Sequence, residues 1–195
     1  MSDVHERLIH IADLHFWQIV KNPLRLINKR FFGNLTVLLR RRHEFMMHRA
    51  EEYADAVAAT GASSAILTGD FSSTSTDYEF DIAAKFVHGL RDHGLSLHLV
   101  PGNHDVYTFG SVRTHTFERY FAPFIPPAGY PSLTALPGGT PLILAPTVCP
   151  RLISSRGNIT DKTVGIVRKL LEQCNGTVIV AAHYPFLHQT HGYAS

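Results

Sequence analysis

Cysteine is scarce. Cys149 and Cys174 are the two in the chain, and without CxxC spacing they exclude a disulfide scaffold and a closed thiolate zinc site and fit a reducing compartment, the cytoplasm. Long apolar runs are absent too: none approaches the roughly 18 residues needed to span a bilayer. Met1 to Glu6 offers neither the basic nor the apolar region of an export leader. Charge is modest, with 17% charged and 45% hydrophobic residues, a balance that excludes wholesale disorder and supplies enough apolar surface for one core. A chain of 195 residues is expected to form a single domain, 1–195.

Acidic residues are missing altogether from one stretch. Between Gln18 and His43 stand Lys21, Arg25, Lys29, Arg30, Arg40, Arg41 and Arg42 with no Asp or Glu. The formal charge of +2 therefore hides a remainder of net −5, eleven basic against sixteen acidic residues. Leu24, Leu26, Ile27, Phe31, Phe32, Leu35, Val37, Leu38 and Leu39 interleave with these cations, so that residues 18–43 read as an amphipathic insertion. Three readings stand: a helical hairpin with a solvated charged face, which is the blandest and comes first, a lid over an anionic substrate, or a surface at 21–42 resting on acidic lipid. Nucleic acid is a poorer partner, because the remainder is acidic and carries no recognised binding motif.

Four short apolar runs read as buried strands. They are Leu8 to Ala12, Ala65 to Thr68, Leu97 to Val100 and Val178 to Ala182. Between the first two, apolar positions from Phe45 to Ala58 have helical spacing and Gly61 stops the pattern. Thr76-Asp77 caps a second helix running toward Gly94, and Thr160-Asp161 a third, lined by Val164, Ile166, Val167, Leu170 and Leu171 and ended by Asn175-Gly176. Strand alternating with helix implies a parallel sheet. From Pro123 to Pro150, proline and glycine become dense around runs such as Leu142 to Leu144, which predicts further strands with irregular connections.

Each of the four runs ends in metal-capable residues. Asp13-Leu14-His15 follows the first, Gly69-Asp70 the second, Gly102-Asn103-His104-Asp105 the third and His183 the fourth. If the runs are neighbours in one sheet, these side chains meet at its carboxyl edge. Singly, each has an ordinary structural explanation: a turn residue for Asp13, an Asx turn for Asn103, a core histidine for His183. Those explanations leave the order of four motifs at four strand ends unaccounted for. His10 and His98 lie inside strands and are assigned to packing, His88 and His93 to solvated helix faces.

In that order the motifs resemble the calcineurin-like metallophosphoesterase superfamily. The resemblance implies an α/β, four-layer αββα sandwich, two sheets face to face with helices outside. It implies two divalent metal ions (Mn, Fe or Zn), one held by Asp13, His15 and Asp70 and the other by Asp70, Asn103 and His183, with Asp70 shared. Carboxylate, imidazole and amide oxygen suit such ions. The implied chemistry is in-line attack of a bridging hydroxide on a phosphate ester. His104 would face the scissile phosphate and protonate the leaving oxygen, with Asp105 orienting its imidazole. The tyrosine-bearing loop after Asp105 and Asp77-Tyr78-Glu79-Phe80 look most similar to small phosphodiesterases, so the expected partner is a small phosphodiester.

Two departures from the pattern stand out. Where the family often has a further Asp or Asn after Gly-Asp, this chain has Phe71-Ser72-Ser73-Thr74. The closing Gly-His-x-His motif is absent, which makes the fold C-terminally incomplete on this reading and leaves each metal one ligand short; His188 and His191 in the tail are poor substitutes. The alternative is accordingly a truncated, catalytically weak or inactive binding module of the same fold.

Overall fold

A computed structural model describes residues 6–17, 49–149 and 157–186. The basic segment 18–43 and the tail histidines His188 and His191 lie outside the described residues.

Three of the four apolar runs form one parallel sheet. Strands β1 (Leu8–Ile11), β2 (Ser64–Leu67) and β3 (Ser96–Leu99) pair in the order β1-β2-β3, and the register sets Ile11, Leu67 and Leu99 in one row. The strands therefore end flush, and the three loops that follow them leave from one level. Parallel strands need long crossovers. Helices α1 (Ala50–Ala58) and α2 (Asp77–Asp92) lie in these. Gly61 (φ 71°) follows the first, and Thr76 caps the second in a reciprocal capping box with Glu79.

Helices α3 (Phe109–Arg113) and α4 (Thr116–Phe121) come next, with a 3₁₀ turn at Ala122–Phe124. None was apparent in the sequence, since five or six residues are too few to display a 3.6-residue period. Strands β4 (Ser132–Ala135) and β5 (Pro141–Leu144) then form an antiparallel pair where strands were expected. Helix α5 (Asp161–Leu171) leads to β6 (Ile179–Ala181), which lies parallel to β5.

Two expectations need correction. The run ending at His183 joins β5 in the second sheet, order β4-β5-β6, and not β1 to β3. Helix α5 stops at Leu171, short of Asn175-Gly176, and Val164 and Leu171 are 40% and 41% exposed. Only Val167 of its expected apolar side is buried.

The alternation of side chains across each strand sorts the core into layers. Ile11, Ala65, Leu67 and Leu99 face helices α1, α2 and α4, meeting Ala54, Val57, Phe80, Phe86, Leu90, Phe117 and Phe121. On the opposite face Ile66 and Val100 meet Leu142, Leu144 and Ala181 of the second sheet. Ile143 turns outward to Val167 of α5. Helices, sheet, sheet and helix are thus stacked in four layers, the expected α/β sandwich.

Polar groups also lie on the inter-sheet face. His98 is buried there, and Ser96 Oγ is 3.4 Å from its Nε2. Glu6 accepts from Ser64 Oγ at 3.1 Å and Gly138 N at 3.0 Å. His10 reaches Thr68 Oγ1 at 2.7 Å but is exposed, so it does not do the packing expected of it. Burial holds the pKa of His98 below the usual histidine range, and the Glu6 charge opposes that only in part.

A depressed histidine pKa stabilises the fold above the unfolded value of about 6.5, and that contribution is lost as the pH falls below it, where only the unfolded chain takes up the proton. The cost of His98→Asn, measured by urea unfolding, is expected to be larger at pH 7.5 than at pH 5.5. A cost independent of pH would contradict the burial of a neutral imidazole.

Candidate metal centre

The chain continues past the flush strand ends in a second, irregular pairing. His15 N donates to Asp70 O at 2.7 Å, Phe16 N to Phe71 O at 2.9 Å and Ser73 N to Phe16 O at 2.9 Å. This pairing carries Asp13 and His15 alongside Asp70. All three have left-handed backbones, with φ of 58°, 48° and 55° respectively, a conformation that costs a residue with a Cβ about 1–2 kcal/mol. Strain of this kind persists only where the surroundings over-determine it.

Two glycines supply that determination. A Cβ on Gly102 would overlap the amide nitrogen and carboxyl of Asp70, and one on Gly69 would overlap the backbone of Gly102. The loops after β2 and β3 are pressed backbone to backbone, so Asn103 and His104 arrive beside Asp70. His104 N donates to Asp70 Oδ1 at 2.8 Å.

Around Asp70, 3% exposed, the predicted ligands converge. His15 Nε2 lies 3.5 Å from Asp70 Oδ2 and 3.7 Å from Asp13 Oδ1. His183 Nε2 lies 3.6 Å from Asp70 Oδ1 and 3.0 Å from Asn103 Oδ1. The two carboxylate oxygens of Asp70 are thus divided between two histidines that come from different sheets. Donor atoms of His15, Asp70 and His104, and likewise of Asp13, Asp70 and His183, also fall within 4.8 Å of one another.

This donor set fits divalent cations. An ion about 2.1 Å from each ligand atom holds neighbouring donors roughly 3.0–3.4 Å apart in octahedral or tetrahedral array, close to the separations around both histidines. The tautomer agrees. His183 Nδ1 donates to Thr68 O at 2.8 Å, which leaves Nε2 as a lone pair aimed at two oxygens, and a backbone carbonyl in that position is the usual partner of a ligating histidine.

His104 is oriented differently from the expectation. Its Nδ1 donates to the Ser73 carbonyl at 2.6 Å, its ring stacks on Tyr107 at 5.3 Å, and its edge meets His15 at 4.8 Å. The Asp105 carboxylate, assigned that orienting role from the resemblance, instead accepts from Ser72 N at 2.9 Å, Ser72 Oγ at 3.1 Å and Gly102 N at 2.9 Å. It fastens the loop and thereby the ring. Burial, and secondarily the Asp70 charge, push its pKa up to about 7, against the pull of the backbone donors.

Sequence reasoning missed three contributors. Ser73 and Ser75 belong to the hydroxyl run after Asp70, and Ser75 Oγ lies 2.7 Å from His104 O and 2.8 Å from Asp105 O. Tyr184 was not singled out at all, yet its hydroxyl donates to Asn103 Oδ1 at 2.7 Å. The serine run was visible as a departure from the family pattern; a tyrosine next to a histidine has no spacing to mark it.

Four layers with carboxylate, imidazole and amide donors gathered at the strand ends define an α/β sandwich with a candidate metal centre. A family model of calcineurin-like phosphoesterases matches residues 6–194, and the chain belongs to that family. No curated protein matches it.

Gly94, with φ 88° and open space around it, is the natural control for Gly102. Gly102→Ala is expected to cost about 3 kcal/mol, since a methyl pressed on backbone cannot be relieved by a rotamer change, whereas Gly94→Ala should cost about 1 kcal/mol of left-handed strain. Equal losses on urea unfolding would refute the close-approach argument.

Proposed function

We propose that this chain hydrolyses a phosphodiester, with Asp13, His15 and Asp70 holding one divalent cation and Asp70, Asn103 and His183 a second. Manganese is the first candidate metal, and iron and zinc suit the same donors. The division of the Asp70 oxygens between His15 Nε2 and His183 Nε2 carries this reading. Bound there, the cations supply Lewis acidity toward the phosphoryl oxygens and acidify a nucleophilic water.

The chain's own groups do the rest. Asp13, its side chain 62% exposed, stands at the open side of the cluster, while His15 and Asp70 are buried beneath it. His104 is the general acid. With Nδ1 committed to Ser73 O, its Nε2 faces the substrate; in the imidazolium form it delivers that proton to the departing alkoxide as the P–O bond breaks, while the water oxygen forms the new P–O bond on the opposite side. Asp105 and Gly102 keep the loop in place, so the ring is pre-oriented before substrate arrives.

Choice of a diester rests on the likeness of the Tyr107 loop and of Asp77-Tyr78-Glu79-Phe80 to small phosphodiesterases. Cytoplasmic location belongs to the same proposal and is supported by the sparse cysteines. Among the described residues, no helix is long and apolar enough to cross a membrane.

The test is hydrolysis of bis-p-nitrophenyl phosphate and of p-nitrophenyl phosphate after metal stripping and Mn²⁺ addition. Mn²⁺-dependent turnover favouring the diester is expected, with His104→Ala lowering kcat by about 10²–10⁴ and Asp70→Asn abolishing metal uptake. Equal rates for the parent and His104→Ala would remove the general acid, and a preference for the monoester would overturn the substrate class.

A further inference from the structure

Among the proposed ligands, Asn103 has an amide that presents oxygen on one side and NH₂ on the other, and only the oxygen serves a cation. We infer that Tyr184 is the positioning residue that keeps that oxygen turned toward the metal site. The inference rests on the ligand sets proposed above.

Its basis is how tightly Tyr184 is placed and what it touches. The hydroxyl donates to Asn103 Oδ1 at 2.7 Å, and the ring meets His183 edge to face at 4.8 Å. One side chain thus contacts both Asn103, which follows the first sheet, and His183, which follows the second and lies 3.6 Å from Asp70 Oδ1. Its backbone N donates to Thr147 Oγ1 at 2.9 Å, and Thr147 O in turn accepts from Asn158 N at 2.9 Å. Gly157 lies flat against the ring, where a Cβ would come within 2.6 Å of Tyr184 Cγ. The loop around 157–158 and the segment after β5 at Thr147 therefore fix the phenol before any ligand binds.

A carbonyl oxygen has two lone pairs. With the phenol donating to one, the other is left on the side of His183 Nε2, 3.0 Å away. Removing the hydroxyl lets the amide turn, so that NH₂ donates to the His183 Nε2 lone pair. That arrangement is satisfied without metal and competes with it. Outer partners of this kind are worth about 10–100-fold in metal affinity.

The experiment is calorimetric titration of metal-stripped protein with Mn²⁺, for the parent, Tyr184→Phe and Gly157→Ala. The parent is expected to take up two ions. Tyr184→Phe, which keeps the ring and its packing, should weaken one of the two by about 10–100-fold, leave the other unchanged and leave the metal-free melting temperature unmoved. Gly157→Ala retains the hydroxyl but displaces the ring, and should weaken the same site. Raising Mn²⁺ should restore kcat in Tyr184→Phe with KM unaltered. Two sites of parental affinity in Tyr184→Phe would overturn the inference while leaving the ligand sets intact; a parent that binds fewer than two ions would overturn those sets and the inference together.

Discussion

Everything at the strand ends depends on the contact between Gly102 and Asp70. Three parallel strands that finish in one row bring their loops to the same level, but level loops do not by themselves make a site. The backbone of Gly102 sits where any side chain would collide with Asp70, and this closeness lets His104 N donate to Asp70 Oδ1 at 2.8 Å. It also buries Asp70 near Asp105, and two carboxylates in a dry place resist being charged together. Burial first, and the Asp70 charge second, raise the pKa of Asp105. Positive charge nearby is the natural relief, and the histidines and oxygens around Asp70 are arranged to hold it.

Much of this was legible because the strands of the first sheet are short apolar stretches, interrupted only by His10 in β1 and His98 in β3 and followed by polar residues. Ile9, Ile11, Ala65, Leu67 and Leu99 fall in short apolar runs, and such runs read as strands without further information. The caps at Thr76 and Thr160 were legible for a related reason, since a side-chain oxygen one position before the first turn has few other uses. What stayed hidden depends on partners distant in the chain. Nothing in Val178 to Ala182 says whether it pairs with β1 or β5, and Val164 and Leu171 look core-facing until the second sheet proves too small to cover them.

The same division holds at the site. Asp13, His15, Asp70, Asn103 and His183 follow apolar runs in an order that resembles the family's, and that resemblance is what named them as candidate ligands. The role of Asp105 could not be read in this way, because a carboxylate next to His104 in sequence points in a strand-end turn toward Gly102 and Ser72. A main-chain carbonyl, Ser73 O, took the imidazole proton instead, and carbonyls leave no signature in a sequence. Thr68 illustrates the point again. Its carbonyl orients His183 while its hydroxyl meets His10, so an unremarkable threonine ties the exposed side of β1 to the centre.

The neutral character of Asn103 completes the electrostatic argument. Two divalent cations in the proposed sets would bring four positive charges against the two negative charges of Asp13 and Asp70, with His15, His183 and Asn103 neutral. Within these sets, leaving the His104 imidazolium aside, the remainder of two would be cancelled by one hydroxide and the singly charged diester proposed above, whereas an aspartate at position 103 would leave a single positive charge for both. Buried charge left unbalanced is costly. An amide oxygen keeps the donor and omits the charge, provided that it faces the ion. That requirement puts the phenol of Tyr184 in the same chain of dependence as Gly102: one loop brings Asn103 to Asp70, and the other decides which of its two faces is presented.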